Sequence, residues 1–279
     1  MRIAFQGETG AFSEEAVRTR YPDAHVVPCP TFDAVFEAVA SGAVDRAVLP
    51  IENSLHGSVH ANYDLLRDHD LVIIGELNLR IRHNLMALPG TSLADIERVY
   101  SHPQALGQCR TYLKTHVPHA ERVPSYDTAG SAKMVAERGE ANAAAIASRA
   151  AAAEYGLGIL AAGIESNQQN YTRFLTLVRP SDVPPRPAGA TLKTSVLYVL
   201  ADNVPGALFK SLAVFALRDL DLYKIESRPL IGHPGQYLFY LDLQGHAQDE
   251  PVRRALGHLR EVTQSVRVLG SYPAGSTIS

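Results

Sequence analysis

Cysteine is scarce in this chain: Cys29 and Cys109 are the only two in 279 residues, far apart and in dissimilar settings. A disulfide scaffold or a cysteine zinc site needs more, and the expected location is a reducing one, the cytoplasm. An excess of positive charge is missing too. Lys and Arg number 26 against 29 Asp and Glu; before about residue 186 the split is 16 to 21, and after it 10 to 8. Neither part can neutralise a run of phosphates, so nucleic acid is not an expected partner. No apolar run approaches the ~18 residues needed to cross a bilayer, and a membrane is not expected either. The first seven residues carry no apolar stretch ahead of a cleavage site and read as strand and turn rather than leader. What is present is 46% hydrophobic and 20% charged residues, enough to bury a core. At ~150 residues per domain, the length predicts about two domains.

The first 180 residues alternate between strand-like and helix-like segments. Residues 2–5 are a short apolar run, and 12–20 are helical, with Ser13 as candidate N-cap and Glu14 and Glu15 in the first turn. Residues 25–28 are strand. Thr31 then caps a helix in which Phe32, Val35, Phe36 and Val39 recur at i, i+3, i+4 and i+7. A third strand, 47–51, runs into a polar loop and a helix at 59–67. Such units predict a parallel sheet with crossover helices. Residues 71–81 and 84–88 carry the chain out of the first unit, and the alternation restarts. Strands at 98–101, 122–124 and 143–146 interleave with helices at 103–114, 128–138 and 148–155, the last stopped by Gly156. A strand at 173–178 returns. The result is a two-lobed α/β body over 1–180, with lobe 1 at about 1–78 and 165–180 and lobe 2 at about 79–164. Four prolines between 180 and 187 mark a linker at 181–190. Past it, strand and helix order reads βαββαβ, a ferredoxin-like module over 191–279.

Several strand-to-helix junctions in the body are more polar than a loop requires. Gly7, Glu8, Thr9 and Gly10 form one, where the glycines let backbone N–H groups approach a ligand or simply make a tight turn. Glu52, Asn53, Ser54, His56 and Ser58 crowd the carboxyl end of a strand, where open α/β sheets bind ligands. Ser101, His102, Pro103 and Gln104 form the same kind of junction, and so do residues 125–131, where Asp127 is a natural N-cap and Ser131 falls in the first turn. Residues 165–174 are a long polar run, and Arg173 is the only Lys or Arg between Arg149 and Arg179. A guanidinium at a strand start suits a small carboxylate ligand, although a surface ion pair is the plainer reading. No Ser-His-Asp elbow, zinc spacing, dinucleotide fingerprint or P-loop occurs, so no metal or other cofactor is expected.

Taken together and in this order, these segments resemble the prephenate dehydratases. The residues that carry the resemblance lie at 7–12, 50–59, 101–109 and 127–132, and most specifically in Asn170, Tyr171, Thr172, Arg173, Phe174 and Leu175. The C-terminal module resembles an ACT domain. In it Asn203, Gly206, Ala207 and Leu208, with Glu226, Ser227, Arg228 and Pro229, match the segments by which such modules sense phenylalanine. Glu8 and Ala11 stand where many relatives have Pro and Thr, and Phe209 stands where Val is common.

The resemblance implies a monofunctional lyase that converts prephenate to phenylpyruvate in phenylalanine biosynthesis. It further implies L-phenylalanine as allosteric effector, and a homodimer or homotetramer. Thr172 is then the donor to the leaving hydroxyl, and Arg173 is assigned to the pyruvyl carboxylate, since a cation gripping the departing carboxylate would retard its loss. Phe174 and apolar surface face the ring carboxylate. Asn53, Ser54, Gln104 and Ser131 are the expected neutral donors, and His102 and Glu52 the candidate proton sources. Arogenate as substrate, or a two-lobed binding protein without catalysis, are the competing readings.

Overall fold

The computed structural model describes residues 1–201, 204–230 and 232–278. Its first elements are β1 (Arg2–Gln6), α1 (Phe12–Arg20), β2 (His25–Cys29), α2 (Phe32–Ala40), β3 (Arg46–Asn53), β4 (Gly57–Ser58), α3 (His60–Asp68) and β5 (Val72–Arg80). β1 pairs in parallel with both β2 and β3, as strands joined by crossover helices must. Thr31 caps α2 by accepting the Ala34 N–H at 3.2 Å, and Val35, Phe36 and Val39 bury the stripe that the periodicity predicts. Ser13 does not cap α1. The helix starts after Ala11, and Ser13 is buried inside its first turn.

A second set follows: β6 (Asn84–Ala87), β7 (Arg98–Ser101), α4 (Pro103–Gln108), α5 (Arg110–His116), β8 (Glu121–Pro124), α6 (Thr128–Arg138), β9 (Ala143–Ala147), α7 (Arg149–Glu154) and β10 (Gly158–Ala161). These strands form a five-stranded sheet in the order β10-β6-β9-β7-β8, parallel through β9, β7 and β8 and antiparallel at β6 and β10. The single helix expected over 103–114 is two, because Cys109 leaves helical geometry at ψ 7° and re-aims the chain. β11 (Tyr171–Val178) then returns to lie between β5 and β3 in the first sheet.

The remaining elements are β12 (Leu192–Leu200), α8 (Ala207–Ala216), β13 (Leu222–Pro229), β14 (Tyr237–Gln244), α9 (Glu250–Val262), β15 (Thr263–Pro273) and β16 (Thr277–Ile278). β12 to β15 make an antiparallel sheet in the order β13-β14-β12-β15, the ferredoxin-like arrangement. Val196, Tyr198 and Leu241 pack with Val214, Phe215, Leu256 and Leu259 of α8 and α9. β16 is a strand that sequence patterning does not predict. It pairs in parallel with β5, so residues 277–278 extend the first sheet and not the four-stranded one.

The chain divides into two compact units. One holds residues 1–63, 77–174 and the C-terminal strand, which is most of the expected α/β body but leaves out 64–76 and 175–180 of its first lobe. The other holds 64–76 together with the described residues of 175–276. Within that second unit, Arg267 on β15 donates to the carbonyls of Arg67 and His69 at 3.0 and 2.6 Å, capping the end of α3 with a cation. Among the described residues, no helix is long and apolar enough to cross a membrane.

Candidate active site

Between the two lobes of the first unit lies a cavity of about 520 Å³. Lobe 1 contributes Gln6, Phe12 and Ser13 from the β1–α1 junction, the end of β3 with the loop up to Val59, and the start of β11. Lobe 2 contributes His102, Gln104 and Gln108 from α4 and its cap, and Tyr126, Asp127 and Thr128 at the head of α6. The carboxyl ends of β1, β3 and β7 therefore meet at the cavity, as sheet topology places ligand sites.

Thr172 and Phe174 face this cavity from β11, and both are nearly buried. The Thr172 hydroxyl oxygen accepts a hydrogen bond from Asn53 Nδ2 at 3.0 Å. Asn53 is itself fixed, because its Oδ1 accepts the backbone N–H groups of Leu55 and His56 at 3.0 and 3.1 Å. With its oxygen supplied by Asn53, Thr172 keeps its own proton to give. Asn53 Nδ2 also donates to Asn170 Oδ1 at 2.8 Å, and Asn170 Nδ2 to Gln108 Oε1 at 3.0 Å.

Charge in the wall is sparse. Histidines 56, 83 and 102 and the Asp127 carboxyl are its titratable groups apart from Tyr126. His102 caps α4, accepting the Gln104 N–H on Nδ1 at 3.3 Å, which places its proton on Nε2. Burial lowers the His102 pKa, so the ring is a neutral donor at neutral pH. Asp127 caps α6 by accepting from Gly130 N, and burial nonetheless raises its pKa. Burial also lifts the Tyr126 phenol to about 12. The positive ends of α1 and α6 open toward the cavity through Phe12 and Thr128.

Of the residues expected from sequence, Asn53, His102, Gln104, Thr172 and Phe174 come together in this wall. Four do not. Arg173 lies between Thr172 and Phe174 on an extended strand, so its side chain leaves by the opposite face and is outside the wall. Glu52 pairs across β3 and β4 with Ser58 and is likewise outside it. Ser54 stitches the loop to β11, donating to Gln169 O at 2.7 Å and accepting from Tyr171 N at 2.9 Å. Ser131 is fully buried and returns its hydroxyl to Asp127 O at 2.6 Å inside α6. The 7–10 loop is a packed turn. Gly7 N donates to Cys29 O, Gly10 N donates to Glu14 Oε2, and Gly10 O accepts from Ser148.

His83, Gln108, Asp127 and Asn170 also line the cavity, beyond the residues expected from sequence. Gln108 and Asn170 sit inside the recognisable segments, and Asp127 carries only the ordinary signal of a helix cap. His83 lies in the short link between β5 and β6, flanked by Arg82 and Asn84, and carries no local motif. In the C-terminal module, Gly206 precedes α8 in a left-handed conformation (φ 83°) and Leu208 is exposed. Glu226 lies 3.4 Å from Lys224, and Arg228 lies 3.0 Å from Asp64. Ser227 and Pro229 face the other side of β13, and Asn203 lies outside the described residues.

A family model for prephenate dehydratase matches residues 3–182. The whole chain aligns at 48% identity with 74% of a protein from Arabidopsis thaliana named arogenate dehydratase/prephenate dehydratase 2, chloroplastic. A solved prephenate dehydratase from Arthrobacter aurescens, in complex with L-Phe, is 39% identical with a TM-score of 0.90, over 98% of this chain and 90% of that one. A further solved structure, described as GqqA, a novel type of quorum quenching acylase, is 37% identical with a TM-score of 0.89 over 98% of both chains. The family match runs through every element that walls the cavity, and the chain therefore belongs to the prephenate dehydratase family of lyases.

Proposed function

We propose that this enzyme converts prephenate to phenylpyruvate in the cavity between its lobes. The observation that carries this reading is the Thr172 hydroxyl, which accepts from Asn53 and keeps its proton for a bound substrate. In the reaction the bond to the ring carboxylate breaks and CO2 leaves. The freed electron pair enters the ring, and the C–O bond to the 4-hydroxyl breaks. One proton, drawn from the surrounding water, turns the departing hydroxide into water. Restored aromaticity drives the step, so the enzyme needs to orient the dianion and polarise the C–O bond. Thr172 supplies that polarisation through a fixed hydrogen bond.

The retained carboxylate of the pyruvyl group is met by His102 Nε2–H, Gln104 and the positive end of α6. Arg173 is given no part in this grip, because strand alternation roots its side chain on the face of β11 opposite Thr172 and Phe174, which line the cavity. His102 serves as a donor and not as the acid, since its Nδ1 is committed to Gln104 N. Phe174 supplies an apolar wall for the carboxylate that leaves, where loss of charge as CO2 is favoured.

Arogenate differs only in carrying an amine in place of the pyruvyl ketone, and the Arabidopsis relative bears both names. The L-Phe bound in the Arthrobacter relative supports phenylalanine as effector here, held at the Gly206–Leu208 turn and the 226–229 strand of an ACT-like module across paired chains. The body at 1–180, linker at 181–190 and module from 191 follow the same reading, as does a cytoplasmic location. Acyl transfer, the chemistry named for GqqA, is less well served. Ser101 and Ser131 give their hydroxyl protons to the carbonyls of Ile146 and Asp127, not to a histidine.

The test is to incubate purified protein with prephenate and, separately, with arogenate, following product with and without L-phenylalanine. Phenylpyruvate from prephenate is expected, and turnover of neither substrate overturns the proposal.

A further inference from the structure

The amide chain behind Thr172 does not stop at Gln108. His83, only 3% exposed, brings its Nε2 to 2.6 Å from Gln108 Oε1. Its backbone is held on both sides, the N–H by Glu165 Oε2 and the carbonyl by Ile164 N, each at 2.9 Å. The ring stands edge-on to Phe12, with centroids 5.5 Å apart. Its other nitrogen, Nδ1, is buried with no hydrogen-bond partner among the described residues.

Donor and acceptor roles along the chain follow from its two ends. Asn53 Oδ1 is occupied by two backbone N–H groups, so its amide nitrogen must face Asn170 and Thr172 at 2.8 and 3.0 Å, with the Tyr171 carbonyl a longer third acceptor at 3.2 Å. Asn170 then shows its oxygen to Asn53 and its nitrogen to Gln108, whose oxygen can only accept. His83 must therefore donate through Nε2. A neutral ring does so while leaving only a bare lone pair on Nδ1, whereas the other tautomer would bury an unpaired N–H. Every group from His83 to Thr172 has one consistent polarity.

We propose that His83 is a positioning residue of the dehydration: it clamps Gln108 so that the chain through Asn170 and Asn53 delivers an N–H to Thr172 and leaves the Thr172 proton for substrate. Without this donor, the Gln108 amide can rotate, Asn170 loses its acceptor, and Thr172 is no longer held for its task. The inference rests on the role given to Thr172 above.

The test compares wild type, His83→Leu and His83→Gln by steady-state kinetics on prephenate, with the thermal midpoint of each. Glutamine carries an amide N–H at a similar reach to Nε2 and can restore the bond to Gln108. His83→Leu should lower kcat about tenfold or more with KM within about twofold, the signature of lost transition-state stabilisation. His83→Gln should recover most of that loss. The proposal is overturned by wild-type kcat in His83→Leu, by a change confined to KM, or by a folded His83→Gln enzyme that has lost as much kcat as predicted for leucine. The last outcome decides the matter even where His83→Leu does not fold. Full turnover by Thr172→Val would instead remove the reading on which the inference stands.

Discussion

Thr172 and Arg173 show how much one residue of strand register decides. Both belong to the most recognisable segment of the chain, yet alternation along β11 gives the cavity to Thr172 and Phe174 and sends the guanidinium away. Thr172→Val removes the hydroxyl at nearly constant shape. It should cost about 100-fold or more in kcat, whereas Thr172→Ser should stay much closer to wild type. Initial rates at saturating prephenate check this. His83 offers a second, independent readout. Burial holds its pKa below the ordinary 6.5, opposed by the Gln108 hydrogen bond and the Glu165 carboxylate and reinforced by His56. The unfolded chain thus takes up this proton first. The stability conferred by neutral His83 is complete above about pH 6.5 and is lost as pH falls through that value toward the folded pKa. Between about pH 7.5 and 5, the thermal midpoint of wild type should fall more steeply than that of His83→Gln.

At the scale of elements, the β1–α1 turn looks in sequence like a loop made to hold a ligand, but its glycines serve packing. Gly10 adopts φ 85°, and a Cβ there would lie 2.6 Å from the Ala151 Cα at the start of α7. The turn is thereby pressed against lobe 2, with Ser148 Oγ bonded to Gly10 O and Tyr155 OH to Thr9 O at 2.8 Å. Glu8, where many relatives carry proline, instead reaches Lys133 at 3.0 Å and Tyr126 at 3.3 Å in the other lobe. Gly10→Ala meets both a forbidden backbone conformation and a backbone collision. It should destabilise the body by about 1–3 kcal/mol from the conformation alone, and by more once the collision is included. A urea unfolding midpoint measures it. Most element boundaries were legible because caps and apolar periodicity are local: α6 runs from its Asp127 cap to Gly139 as the residues imply. The strands β10 and β16 were not, because each pairs with a strand remote in sequence, β6 and β5; β4, two residues that turn back on β3, and the break at Cys109 are too short to leave a periodic pattern.

At the scale of the molecule, the segment 64–76 joins the second unit through side chains that composition cannot locate. Glu76 pairs with Lys193 of β12 at 2.7 Å, both largely buried, and also accepts from Gly275 N at 2.8 Å. Glu76→Ala leaves the largely buried lysine with only the Tyr223 ring, 4.9 Å away, and should lower stability by about 3 kcal/mol in denaturant titration. Arg228, which the resemblance assigns to the effector segment, pairs with Asp64 of α3 within the same unit. If L-phenylalanine binds this module as proposed, saturating concentrations should raise the thermal midpoint and change turnover of prephenate. No change in either removes the regulatory claim.

Sequence by itself determined the family, the two α/β lobes and the ferredoxin-like module, because motifs, caps and hydrophobic periods are written in consecutive residues. It also led to an arginine clamp for the substrate, whereas the residue lies outside the cavity wall. Only the tertiary structure decided which face of β11 meets the cavity and which donors surround it. Asn53, Asn170, Gln108 and His83 are distributed over 118 residues, so their common hydrogen-bond chain exists only once two lobes have closed on it.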